Sequence, residues 1–160
     1  GTNGKTTTTR LISHVLKSMG YTVGMTSTEG TYIDGECIQT GDNSGYYSAK
    51  TVLLNKNVEV AVLETARGGI IRNGLAYDLA DVAVITNITE DHIGIDGIED
   101  MNELSKVKAL VGEAVKKDGY VIINADDEWS IKILDRIKNN KIFFSMNSEK
   151  EIKKKKEREK

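Results

Sequence analysis

The chain opens with Gly1-Thr2-Asn3-Gly4-Lys5-Thr6-Thr7, and these residue types in this order suit one task, the holding of phosphate. Glycines let the backbone wrap tightly, so that its N–H groups face phosphate oxygens. A lysine at position 5 can reach the β- and γ-phosphates, and the Thr6 hydroxyl can ligate Mg2+. A helix beginning here adds the positive end of its dipole. The string corresponds to the second half of G-x-x-x-x-G-K-[ST]. Alone it licenses nucleotide-phosphate binding and nothing further.

A phosphate loop needs a second group on the magnesium side, and this is usually a carboxylate at the end of a buried strand. Glu64 directly follows Val-Ala-Val-Leu and fits that description. Asp91-His92 follow a third strand-like run by a few residues. Lys108 stands out for a different reason. On a helix predicted over 99–117 the apolar stripe is Met101, Leu104, Val111 and Val115, and Lys108 falls inside it while Lys106 points away. A lysine so placed must snorkel, pair or be modified.

These groups need elements to position them. The apolar periodicity predicts helices over 6–19, 48–54, 69–77, 99–117 and 127–138. The 6–19 helix carries Leu11, Ile12, Val15, Leu16 and Met19 on one face. Strands are predicted over 21–25, 58–63, 81–85, 120–123 and 141–146, with 58–63 and 81–85 apolar enough for burial on both faces. Asp34-Gly35 between two β-prone runs signals a tight hairpin. Alternating strands and helices imply an α/β fold, a P-loop-type, doubly wound, mostly parallel sheet with helices on both faces. Several strands run into polar clusters: Thr26-Ser27-Thr28-Glu29, Glu64-Thr65, Thr86-Asn87 and Asn124-Ala125-Asp126-Asp127. In an open parallel sheet these ends share the carboxyl edge, where ligands bind.

Composition narrows the classes. The 160 residues include 22 Lys+Arg, 24 Asp+Glu, 15 Gly, one Cys and no Pro. One cysteine excludes a disulfide framework. No apolar run approaches the ~20 residues of a membrane span, so no membrane is expected. Residues 148–160 carry seven basic and four acidic side chains, leaving the rest at 15 against 20. A body with a net charge of −5 is a poor nucleic-acid platform, so no nucleic acid is expected.

Taken together, GTNGKTT, the Asn87…Asp91-His92 loop, Lys108 and Asn124-Ala125-Asp126-Asp127 resemble, in order, the central ATP-binding domain of the Mur ligase family. Within that family the strings TSTEGTYIDGE, ETARGGIIRNGL, TNITEDHIGIDGI and VIINADD are similar to the Mur-ligase half of cyanophycin synthetases. The likeness spans roughly residues 1–146. One departure lies at Gly41-Asp42-Asn43-Ser44-Gly45-Tyr46-Tyr47, where the family usually has Pro after the second Gly.

The resemblance implies a cytoplasmic, ATP-dependent ligase. A carboxylate is activated as an acyl phosphate and then attacked by an amine; in cyanophycin synthetases, arginine is joined to the aspartate side chains of a poly-aspartate backbone. It implies ATP cradled by Gly1, Thr2, Asn3, Gly4, Lys5, Thr6 and Thr7, with Asn124 near the adenine. It implies Mg2+ on Thr6 and Glu64 and a second ion on His92. Lys5, His92 and Lys108 would be catalytic, and Lys108 matches a lysine that many Mur ligases carbamylate. Arg67 and Arg72 could meet anionic substrate.

The resemblance also sets boundaries. Residues 1–147 would form the central domain, truncated at its N-terminal strand, with 148–160 a charged tail and the family's third domain absent. An apolar strand is expected before Gly1, within a larger, oligomeric synthetase, and the isolated chain is expected to be inactive. The alternatives are a folylpolyglutamate-type or peptidoglycan-precursor ligase, a P-loop hydrolase, or a non-catalytic nucleotide-binding module.

Overall fold

The structure, a computed structural model, describes residues 3–90 and 100–147. Gly1, Thr2, Asp91, His92 and the 148–160 segment lie outside the described residues. The chain folds as two compact units, Gly4–Asp78 and Leu79–Lys160, the second joined by Gly1–Asn3.

In the first unit, helix α1 (Lys5–Ser18) leads to strand β1 (Val23–Thr26). A hairpin follows, made of β2 (Gly30–Ile33) and β3 (Glu36–Thr40). Its turn is Asp34-Gly35, with φ of 49° and 86°. Two successive positive φ values are what a two-residue hairpin turn requires, and Gly35 adopts one without steric cost. Helix α2 (Tyr46–Leu53), strand β4 (Val60–Leu63) and helix α3 (Arg67–Asn73) complete the unit. The sheet order is β3-β2-β1-β4, antiparallel through the hairpin and parallel between β1 and β4. Helix α1 packs on β1 and β4, and α2 packs on β1 and β2.

In the second unit, β5 (Ala80–Ile85), α4 (Met101–Glu113), β6 (Val115–Asn124), α5 (Glu128–Lys132), a 3-10 turn (Leu134–Arg136) and β7 (Asn140–Phe144) build a three-stranded parallel sheet, ordered β5-β6-β7. Alternation sends Ala83, Ile85, Val121 and Ile123 into the core, where Leu104 of α4 and Ile137 join them. Val82, Tyr120 and Ile142 point the other way and are about half exposed. Two side-chain caps start the helices. Asp100 accepts from the Glu103 N–H at 2.8 Å, and Asp127 accepts from the Ser130 N–H at 2.8 Å and from the Ile88 N–H at 3.0 Å.

The α/β class and the alternation of strands and helices are as expected. Five particulars differ. The described strands form two sheets rather than one. Among the described residues β4 has one strand neighbour, so its residues are half-buried rather than enclosed on both faces. Helix α4 stops at Glu113, because Val115 pairs with Ala80 and is 3% exposed as the first residue of β6. The 127–138 helix is a short α5 followed by a 3-10 turn. On α1 the buried residue is Thr9, while Leu11, Val15 and Met19 face outward.

Candidate functional site

Gly4 stands at the N-cap of α1 with φ of 78°, a left-handed conformation that glycine adopts freely. The next two residues carry the chemistry. The Thr6 hydroxyl donates to Oε2 of Glu64 at 2.8 Å. Nζ of Lys5 lies 4.0 Å from Oε1 of the same carboxylate. Glu64 extends from the last residue of β4, and β1 and β4 run parallel, so the ends of both strands are held beside the start of α1.

Glu64 is 4% exposed, and its Oε1 has no hydrogen-bond partner among the described residues. A buried carboxylate oxygen left without a donor is costly unless a cation meets it. Lys5 supplies part of that charge at a distance too long for a hydrogen bond. The Thr6 hydroxyl and the orphaned carboxylate oxygen are hard oxygen donors of the kind that suit Mg2+ shared with phosphate oxygens, and the Lys5 ammonium suits the phosphate itself. Among the described residues no cluster of three or more His, Cys, Asp or Glu could hold a metal.

A shallow cleft in the same unit reaches Glu64 and is lined also by Ser44, Gly45, Thr65, Gly69 and Tyr77. Asp42 ties down its rim by accepting from the Ser44 N–H at 3.1 Å and its hydroxyl at 2.6 Å. Burial raises the Tyr77 phenol above its ordinary pKa, partly offset by a hydrogen bond with Thr65. Arg72 folds back to donate to the Gly68 carbonyl at 3.0 Å, and Arg67 is half-buried.

The other expected site residues belong to the second unit. Lys108 is 9% exposed on α4, beside the buried Leu104 and Ala109, so the apolar stripe does carry a buried lysine. Asn124 donates to the Thr86 carbonyl at 2.9 Å and accepts from the Asp126 N–H at 2.9 Å. Asn3 is held by Asn87, which accepts from its N–H at 3.0 Å and donates to its carbonyl at 2.9 Å. Thr86 donates to the same carbonyl at 2.9 Å. This clamp had one signal in the sequence, the polar Thr86-Asn87 after an apolar run. Thr7 is exposed on α1. Lys5, Thr6 and Glu64 are thus brought together in one unit, and Lys108 and Asn124 belong to the other.

Comparisons with known proteins bear on the family and the fold. The Mur ligase middle domain family matches residues 1–160. A cyanophycin synthetase of Nostoc sp. is 49% identical over 152 residues, covering 95% of this chain and 17% of that protein. A UDP-N-acetylmuramoyl-L-alanyl-D-glutamate–2,6-diaminopimelate ligase of Parabacteroides distasonis is 29% identical over 150 residues, covering 91% of this chain and 30% of the relative. The chain therefore spans less than a third of each of these relatives. Among solved structures, a UDP-N-acetylmuramoyl-L-alanyl-D-glutamate–2,6-diaminopimelate ligase superposes with a TM-score of 0.73 at 22% identity, covering 93% of this chain and 31% of that one. E. coli FolC in complex with DHPP and ADP superposes at 0.62 and 22% identity, covering 89% and 40%. At these identities the structural likeness speaks for the fold.

Proposed function

The chain belongs to the Mur ligase middle domain family, and from that premise we propose that it is the nucleotide-binding part of an ATP-dependent, amide-forming ligase. The observation that carries the proposal is the Thr6–Glu64 pair at 2.8 Å with Lys5 beside it and a buried, orphaned Glu64 Oε1. ATP phosphorylates a substrate carboxylate, giving an acyl phosphate and ADP. An amine then attacks the acyl carbon, phosphate leaves, and an amide remains. Lys5 neutralises charge on the transferred phosphoryl group, and the residues from Gly1 to Thr7 cradle the phosphates. Thr6 and Glu64 would hold Mg2+, with His92 for a second ion. The bound metal supplies charge neutralisation between two anionic reactants. Lys108, in a carbamylated form, would add an anionic group, and Asn124 would lie near the adenine.

The substrate pair we propose is an aspartate polymer and arginine, supported by the 49% identity to a cyanophycin synthetase. The free, exposed Cys37 suits a reducing, cytoplasmic setting. No helix among the described residues is long and apolar enough to cross a membrane. The test is product formation by the longest natural chain that contains these residues. Arginine with an aspartate polymer is expected to yield amide, ADP and phosphate, and Glu64→Gln is expected to lower the rate at least about 100-fold. Nucleotide binding without any ligation would overturn the ligase reading. Turnover only with glutamate and folate, or with muropeptide precursors, would overturn the proposed substrates.

A further inference from the structure

Two residues beyond β1, Thr28 reaches the same carboxylate and the same hydroxyl as the phosphate loop. Its backbone N–H donates to Glu64 Oε2 at 3.3 Å. Its Oγ1 lies 3.0 Å from Thr6 Oγ1. The direction of that second bond follows from proton counting. A threonine hydroxyl has one proton and two lone pairs, and an ionised carboxylate only accepts. Thr6 spends its proton on Glu64 Oε2. In the contact between the two threonines, Thr28 must therefore donate and Thr6 accept.

The result is a one-way chain, Thr28 O–H to Thr6 O–H to the Glu64 carboxylate. It occupies the Thr6 proton and one Thr6 lone pair, which leaves a single lone pair for a ligand. At the other end, Oε2 of Glu64 takes two donors while the buried Oε1 takes none. The carboxylate is thus anchored by one oxygen and presents the other. We propose that Thr28 is a positioning residue for the cation site: its hydroxyl sets the rotor of Thr6, and its N–H sets the plane of Glu64. The proposal rests on the reading of Thr6 and Glu64 as the cation-holding pair. It assigns to Thr28 a role that no phosphate-loop motif describes.

The side chain of Thr28 is exposed, so Thr28→Val removes the hydroxyl, keeps the shape and leaves the N–H in place. The experiment is calorimetric titration of the full chain with ATP, with and without Mg2+, for the parent, Thr28→Val, Thr28→Ser and Glu64→Gln. The readout is the factor by which Mg2+ tightens ATP binding. Thr28→Val should shrink that factor about three- to tenfold, the worth of one neutral hydrogen bond, and leave metal-free binding unchanged. Thr28→Ser should restore it. An undiminished factor in Thr28→Val, or a Thr28→Ser variant as impaired as Thr28→Val, overturns the role of the hydroxyl. Loss of metal-free binding in Thr28→Val also overturns it, because the residue would then be holding the loop rather than the cation pair. If Glu64→Gln keeps the full Mg2+ factor, the cation pair itself is refuted, whatever Thr28→Val does.

Discussion

The two units of the molecule bury different things. Among the described residues of Gly4–Asp78, seven polar side chains are buried, Glu64, Thr26 and Thr31 among them, against five apolar ones. In the unit that starts at Leu79 the balance reverses, with twelve buried apolar side chains and three polar ones. A buried polar group contributes to stability only when its partners are complete. The first unit leaves three such atoms without a hydrogen bond, namely Thr26 Oγ1, Thr31 Oγ1 and Glu64 Oε1. Two lie opposite each other in the β1–β2 pair, and the third belongs to the site. The first unit tolerates buried polar atoms without hydrogen bonds, whereas the second is held by apolar packing.

That contrast can be broken by mutation, most forcefully in the apolar unit. Leu104 is 1% exposed in the core cluster. Leu104→Ala should cost about 2–5 kcal/mol, the transfer loss plus the cavity it leaves. Urea unfolding of the variant checks this, and a loss below about 1 kcal/mol would mean that the cluster does not anchor the unit.

The polar unit should respond with the opposite sign. Thr26→Val and Thr31→Val each replace a buried, unpartnered hydroxyl with a methyl group of similar size. Each should leave stability unchanged or raise it by up to about 1 kcal/mol. A clear loss in the same denaturation assay would mean that those hydroxyls have partners in solution, and the contrast between the units would weaken.

The smallest effect concerns surface charge. Glu128 is held below its ordinary pKa of 4.5 by its hydrogen bond with Lys132 and then by the attraction of that charge. A carboxyl whose pKa is depressed on folding adds stability above the unfolded value and loses it as pH falls through the folded one. Glu128→Gln should therefore lower Tm slightly at pH 7, by about 1 °C or less for so exposed a pair. The difference should shrink as the pH falls from 7 through the folded value. Thermal melts at descending pH would show it, and a gap that does not shrink would point to packing rather than charge.

Much of the site was legible in the chain because its signals are local. Gly4, Lys5 and Thr6 work through consecutive backbone geometry at a helix start, and Glu64 announces itself as a charge directly after four apolar residues. Lys108 showed itself by falling inside an apolar stripe, and it is buried in α4. Other parts depended on partners far along the sequence. Thr28 is one polar residue among four at the end of a strand, and only its approach to Thr6 and Glu64 distinguishes it. Asn87 gains its role from a backbone group 84 residues away.

The sequence by itself determined the helix start at Gly4-Lys5-Thr6, the alternation of helices and strands, and the Asp34-Gly35 turn. Each depends on residues adjacent in the chain or spaced by one periodicity. The tertiary structure decided where α4 gives way to β6, since Val115 has a helix-compatible position but gains more by pairing beside Ala80 and burying its side chain. It also decided which face of α1 is buried and that the Glu64 carboxylate is anchored through one oxygen and open at the other. Those outcomes are set by competition among long-range contacts, and periodicity within a segment cannot rank them.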